Sequence, residues 1–336
     1  MDIGFAPRLR IEKRIARDNW NACRVLSSAE NGANFKLCSS AEIVLSRQQQ
    51  TQRFRASYMN RAVPIGATDL VGTHDILFIT LGTLRYDVAQ ECWLSGRTPT
   101  LASLLPATGW ERRHSPGNFS YAAHHAFFAG FLPAPIGSGS DLRRFAIHFP
   151  GSETPAAGAR LFNAPDIVTG IAQCGYHTIC IGGAEFFNKL TPLGNVFPSL
   201  FAESYWSPLL GITDPQSTEN QVGLALERIR EIAMDKRIFL FLNVSAIHTP
   251  NCFYLPGATK DSMASHAAAL EYVDQQLAPL IATLRHRAPV LAILCSDHGT
   301  IYGEEEAASV KNGAHATVWD VPYAEALLGQ TNGEQP

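Results

Sequence analysis

The chain has 336 residues, of which 46% are hydrophobic and 17% charged, and its formal net charge is −3. That length makes one large domain or two ordinary ones, with enough buried surface to form a core without disulfides. The composition excludes a disordered or collagen-like chain, and no run approaches the roughly 20 apolar residues of a membrane span.

Charge is uneven along the chain. Residues 1–58 hold 10 Lys/Arg against 5 Asp/Glu, a net +5, whereas residues 59–336 hold 17 against 25, a net −8. The acidic body argues against broad nucleic-acid binding through phosphates. The basic charges do not cluster, and Gln48-Gln49-Gln50-Thr51-Gln52 reads as solvated coil, so an unpacked extension is expected over 1–58. The first 30 residues lack the apolar core of a signal peptide. Seven cysteines (23, 38, 92, 174, 180, 252 and 295) form no CxxC pair, which points to reduced thiols, a cytoplasmic location and no zinc ribbon or thioredoxin motif.

From residue 75 short apolar runs alternate with helical periodicity. Asp75–Leu81 ends at Gly82, and its near-continuous apolar character predicts a strand covered on both faces. Phe145–Phe149 is a weaker strand pattern. A helix is expected over 165–173, closed by Gly175, and a strand over His177–Ile181. The Pro- and aromatic-rich stretches 131–160 and 186–216 read as long connections, which either build a site or fill a satellite core. Ser217-Thr218 opens a helical pattern over 217–234, Ile238–Val244 is a third strand, Asp261-Ser262 opens an amphipathic helix over 261–286, and Pro289–Cys295 is a fourth strand. The alternation implies a parallel or mixed sheet covered on both faces.

Ligands in such sheets bind beyond the carboxyl ends of the strands. The polar residues there are Thr83, Arg85 and Asp87 after the first strand, Ser245 and His248 after the third, and Ser296, Asp297 and His298 after the fourth. Asp297-His298 is a metal-ligand pair or an ordinary turn. Ser120, opening Ser120-Tyr121-Ala122-Ala123-His124-His125, is a nucleophile at a helix start or a simple N-cap.

In order along the chain these clusters resemble the alkaline phosphatase superfamily, in its sulfatase-like branch, over about residues 65–328. Ile76–Arg85 is similar to that branch's opening strand and turn, and Thr98–Leu104 to its "TPNLDRL" helix. Ser120 through Gly130 and Pro133 has the spacing of its nucleophile helix. Phe239–Pro250 resembles the strand ending in "PHTP", Glu271–Leu277 the "YVDQQLG" helix, Cys295–Gly299 the "TSDHG" turn and Val321-Pro322 the terminal "VP". Within the branch the chain resembles a bacterial group of small cytosolic hydrolases.

The resemblance implies a three-layer α/β/α sandwich with a mostly parallel central sheet. It also implies a metal-dependent hydrolase of phosphate, phosphonate or sulfate esters. Ser120 would be the nucleophile and a metal ligand, with Asp297 and His298 as further ligands of a divalent zinc, manganese or calcium ion. His124 and His248 would meet the substrate group or a second metal. Lys311, Arg85 and His315 would bind the substrate, with His315 equally placed as a late metal ligand or as a solvent-facing residue. The partner implied is a small anionic ester, with neither nucleic acid nor membrane. Met59 would be the native start, because it precedes the family-like segment by a short lead.

Three departures shape these expectations. Gly82 stands where the family places a metal-binding Asp, and Asp87 is the nearest carboxylate beyond it. Ala122 and His124 break the signal for formylglycine conversion, so an unmodified hydroxyl is expected, which suits phosphate or phosphonate esters. Glu304-Glu305-Glu306 follows the Asp-His-Gly turn and reads as a solvated loop. Gly82 favours one alternative, a catalytically impaired relative that binds a small anion or a partner; a second alternative is a phosphoryl transferase or mutase, since the fold does not decide between them.

Overall fold

The computed structural model describes residues 67–130, 166–303 and 316–329, together with 144–145 and 160–161. The extension 1–58, Met59, Glu304–Glu306, Lys311 and His315 lie outside the described residues.

The elements follow in order. Strand β1 (Asp75–Leu81) leads to helix α1 (Tyr86–Leu94), helix α2 (Pro99–Ala102), strand β2 (Glu111–His114) and helix α3 (Ser120–Ala129). Next come the two-residue strands β3 (Arg144–Phe145) and β4 (Arg160–Leu161), helix α4 (Ile167–Gln173), and strands β5 (His177–Ile181) and β6 (Glu203–Tyr205). Helix α5 (Ser217–Glu231), strand β7 (Ile238–Val244), helix α6 (Met263–Arg287), strand β8 (Val290–Cys295), helix α7 (Ala316–Trp319) and strand β9 (Asp320–Leu328) complete the chain.

The main sheet has the order β2-β9-β8-β1-β7-β5-β6. β1 lies between β7 and β8 and is parallel to both, with Ile79 opposite Leu242 and Leu294. β9 runs antiparallel to β8, and β2 antiparallel to β9, so the sheet is mixed but mostly parallel. Side chains alternate across a strand. Leu77, Ile79 and Leu81 therefore join Leu240 and Leu242 on one face, against Val88, Val222, Leu270 and Leu277 of α1, α5 and α6. Ile76, Phe239 and Phe241 face the other way, against Phe128, Val168 and Ile171 of α3 and α4. This is the expected three-layer sandwich. Phe187, Phe197 and Phe201 fill the second core, so of the two readings of the 186–216 aromatics the packing one holds.

Local signals act with small shifts. α6 starts after Ser262, whose hydroxyl accepts from Ser265 N–H in a capping box, while Asp261 instead accepts from the N–H groups of Asn251 and Cys252. α5 starts at Ser217 as expected but ends at Glu231, and Gln216 rather than Ser217 holds its cap position. β2 and β9 had no sequence expectation: β2 is charged throughout, and β9 carries Pro322 in mid-strand.

Among the described residues no helix is long and apolar enough to cross a membrane. The five described cysteines are all unpaired thiols.

Candidate functional site

The carboxyl ends of β1, β7 and β8 meet the start of α3. Phe119 occupies the α3 cap position in extended conformation and no side chain caps the helix. Ser120 is thus the first helical residue and not an N-cap. Its hydroxyl lies 3.4 Å from His298 Nε2. Gly130 ends the helix at φ +72, a left-handed turn that suits glycine.

Asp297 is 1% exposed at the end of β8. Its Oδ1 accepts two backbone N–H bonds, from Thr83 and His298, both at 2.9 Å. Its Oδ2 is buried with no hydrogen-bond partner, 3.8 Å from His298 Nε2 and 3.9 Å from His124 Nδ1. Burial pushes this carboxyl upward, but the neighbouring His298 and His124 and the Thr83 N–H outweigh it and hold it below the usual carboxylate range. Ser115 Oγ fixes the Asp297 carbonyl from the loop that precedes α3.

The tautomers follow from the acceptors. His298 Nδ1 is 2.8 Å from the Gly299 carbonyl, which can only accept. Nδ1 therefore carries the proton and Nε2 offers its lone pair toward Ser120. His124 Nδ1 donates to the Ser120 carbonyl at 2.7 Å, so its Nε2 accepts from Thr80 Oγ1 at 3.0 Å, which in turn accepts from Asn243 Nδ2 at 2.9 Å. Burial among Phe187, Phe127 and Phe241 drives the His124 pKa down against the pull of Asp297.

The structure places three of the expected substrate-side residues as follows. His124 is fully buried with both ring nitrogens bonded inside the protein, where it holds the first turn of α3. Arg85 is 3% exposed and gives two guanidinium bonds to Asp87, at 2.9 and 2.7 Å, because a carboxylate two residues on presents two oxygens to the arginine fork. The same pairing occupies Asp87, which also accepts from Val88 N–H and is held below its usual range, burial notwithstanding, by Arg85. Asp87 therefore does not replace the carboxylate missing at Gly82. His248 bonds through Nδ1 to the Thr249 carbonyl and has no hydrogen bond or ion pair to Ser120, Asp297 or His298.

Gly82 is tightly enclosed. A Cβ there would stand 2.9 Å from the Val244 carbonyl oxygen, to which the Gly82 N–H already donates. Thr83, next to it, has φ +61, rare for a β-branched residue, and its hydroxyl is buried with no hydrogen-bond partner. Sequence reasoning placed Thr83 only among the polar residues at the strand ends and gave no role to Thr80, Asn243 or Ser115. Their single hydroxyls and amides acquire meaning only from the contacts they make.

Among the described residues no three His, Cys, Asp or Glu side chains form a metal-ligand group. The donors that converge are Asp297 Oδ2, His298 Nε2 and the Ser120 hydroxyl. An anionic oxygen that is buried and unpartnered beside an imidazole lone pair fits one cation of zinc or manganese type, with fewer anionic ligands than a tightly held metal requires.

No protein-family model matches the sequence, and no curated protein does. Solved structures do match. The C-terminal periplasmic domain of EcEptC from Escherichia coli in complex with Zn aligns with a TM-score of 0.52 at 12% identity, over 77% of this chain and 74% of that one. The integral membrane lipooligosaccharide phosphoethanolamine transferase A of Neisseria meningitidis aligns with a TM-score of 0.50 at 14% identity, over 95% of this chain and 59% of its own. A protein in the alkaline phosphatase superfamily from Vibrio parahaemolyticus aligns at 0.48 and 15% identity, over 76% of this chain and 60% of that chain. This chain thus spans about three-fifths of the Neisseria and Vibrio proteins.

Proposed function

We propose that this chain, with the fold of the alkaline phosphatase superfamily, acts on phosphate-type esters with Ser120 as nucleophile. The observation that carries this reading is the Ser120 hydroxyl at the uncapped start of α3, 3.4 Å from the His298 Nε2 lone pair and beside the unpartnered Asp297 Oδ2. The free N–H groups of a helix start and its dipole favour a bound anion. The Neisseria protein, a phosphoethanolamine transferase, supports phosphoester chemistry on this fold.

In the proposed reaction Ser120 Oγ attacks phosphorus as its proton passes to His298 Nε2. Asp297 stabilises the resulting imidazolium through space. The ester oxygen departs, leaving a phosphoserine, and a water or an alcohol then displaces the serine oxygen, giving hydrolysis or transfer. Alternatively Asp297, His298 and Ser120 would hold a divalent cation; it would take the Nε2 lone pair, lower the hydroxyl pKa in place of the His298 base, so that the proton leaves to water, and offset charge on the transferred group. His124 keeps the Ser120 carbonyl, and with it the helix start, in register.

A second reading, an impaired relative that retains anion binding, is favoured by Gly82, which supplies no ligand. Turnover of aryl phosphate with added Mn²⁺ or Zn²⁺, with mass spectrometry of Ser120, separates the two. Metal-stimulated turnover with phosphate on Ser120 supports catalysis. Anion binding without either supports the impaired relative. Product analysis with an alcohol acceptor divides hydrolase from transferase.

A further inference from the structure

Helix caps strongly favour Ser, Thr, Asp or Asn, because a short side-chain oxygen there satisfies an orphan N–H. α3 has Phe119 at its cap and no side-chain cap. The same phenyl ring is 41% exposed, a cost in water as well as in capping. Two local rules are broken at the residue joined directly to Ser120, and such conflicts concentrate at functional positions.

The ring is not isolated. Phe186, in the connection after β5, is half-buried, with its centroid 6.4 Å from that of Phe119 at an interplanar angle of 58°. Phe186 in turn is anchored on buried Tyr121, 5.6 Å away, and Tyr121 packs on Phe197 at 4.9 Å. Phe119 and Phe186 thus form an exposed aromatic pair backed by a rigid core. Adjacent residues have Cα atoms 3.8 Å apart, so the pair begins within one residue of the proposed nucleophile.

We propose that Phe119 and Phe186 are specificity-determining residues that receive a flat aromatic group of the ester, with its phosphate at the start of α3. This rests on the proposed role of Ser120. A phosphate at the start of α3 then leaves the exposed ring as an aromatic face for its substituent.

The test compares binding of phenyl phosphate and methyl phosphate to the full chain carrying Ser120→Ala, so that neither ester is consumed. Phenyl phosphate should bind about threefold to tenfold tighter, the worth of one aromatic contact. Adding Phe119→Ser should abolish that preference and also raise Tm by about 2–4 °C, because it supplies the cap. Phe186→Ala should remove part of the preference without the gain in Tm. Equal binding of the two esters overturns this inference and leaves the role of Ser120 standing. So does a preference that survives Phe119→Ser, or a fall in Tm in that variant, which would mark Phe119 as a structural anchor. Binding of neither ester overturns the function reading and this inference with it.

Discussion

Two buried aspartates stand at opposite edges of the same sheet and are treated differently. Asp75 opens β1 with an exposure of 0%. Arg287 donates to its Oδ2 at 3.0 Å, Ile238 N–H to its Oδ1 at 3.1 Å, and Arg237 stands 3.4 Å away. Asp297 follows β8, equally buried, with two N–H bonds on one oxygen and none on the other. A buried charge is costly unless paired. At the amino end of the strands Asp75 is closed by arginine, although burial still pushes its carboxyl upward; at the carboxyl end an anionic oxygen is left open. Saturation marks the structural site, and an unfilled valence beside a hydroxyl marks the candidate for chemistry.

The largest expected effect breaks this comparison by function. Ser120→Ala should lower ester turnover by at least about a thousandfold, with stability changed by less than about 0.5 kcal/mol. Asp297→Asn should also lower turnover and metal affinity, measured by calorimetry, at little cost in stability, because Oδ1 can still accept both N–H bonds. Arg287→Ala should do the opposite at the other edge. It leaves Asp75 underpaired and should cost about 3–5 kcal/mol in denaturant unfolding, with KM unaltered in whatever fold survives. If Asp297→Asn proved as destabilising as Arg287→Ala, the contrast between the edges would fail.

Acid sharpens it. Burial, with Arg85 and His248, pushes His266 down to about 3, and burial pushes His125 down to about 4. Unfolded histidines take up protons near pH 6.5. Below that pH the unfolded chain binds more protons than the folded one, so stability is complete above about pH 6.5 and declines as pH falls toward 4 and 3. A Tm series from pH 7 to 4 should show the decline, and His266→Gln should flatten it. An unchanged slope in that variant would remove His266 as its source.

Gly82→Asp restores the family carboxylate against steric resistance. Its Cβ would press on the Val244 carbonyl at 2.9 Å, and the cost of such overpacking is about 1–3 kcal/mol. Gly82→Ala should show that cost alone. If Gly82→Asp adds metal while Gly82→Ala does not, the missing ligand is what limits the site; if the native chain binds a full equivalent and Gly82→Asp adds none, it is not. The smallest expected effect is at Thr83. Relief of its left-handed backbone by Thr83→Gly should stabilise by about 0.5–1 kcal/mol, after the entropy of glycine is counted, in a thermal unfolding comparison.

The four inner strands of the main sheet were legible in the residue pattern. Asp75–Leu81, His177–Ile181 and Ile238–Val244 are strands with the ends expected, and Val290–Cys295 differs by one residue, because a strand buried on both faces must be apolar nearly throughout. The capped helix after Ser262 was equally legible, since capping is local chemistry. β2 and β9 were not legible: an exposed charged edge and a strand holding a proline have no apolar signature, and their pairing comes from β8. The site was legible as residue types at strand ends, but residue type does not set a partner. Only packing closed Arg85 onto Asp87, enclosed His124 in phenylalanines, turned His248 Nδ1 onto the Thr249 carbonyl and left Asp297 Oδ2 without a donor. Each of these is a contact between residues distant in sequence or a matter of side-chain direction. Periodicity and local propensity carry no information on either, whereas the packing of strands and helices fixes both.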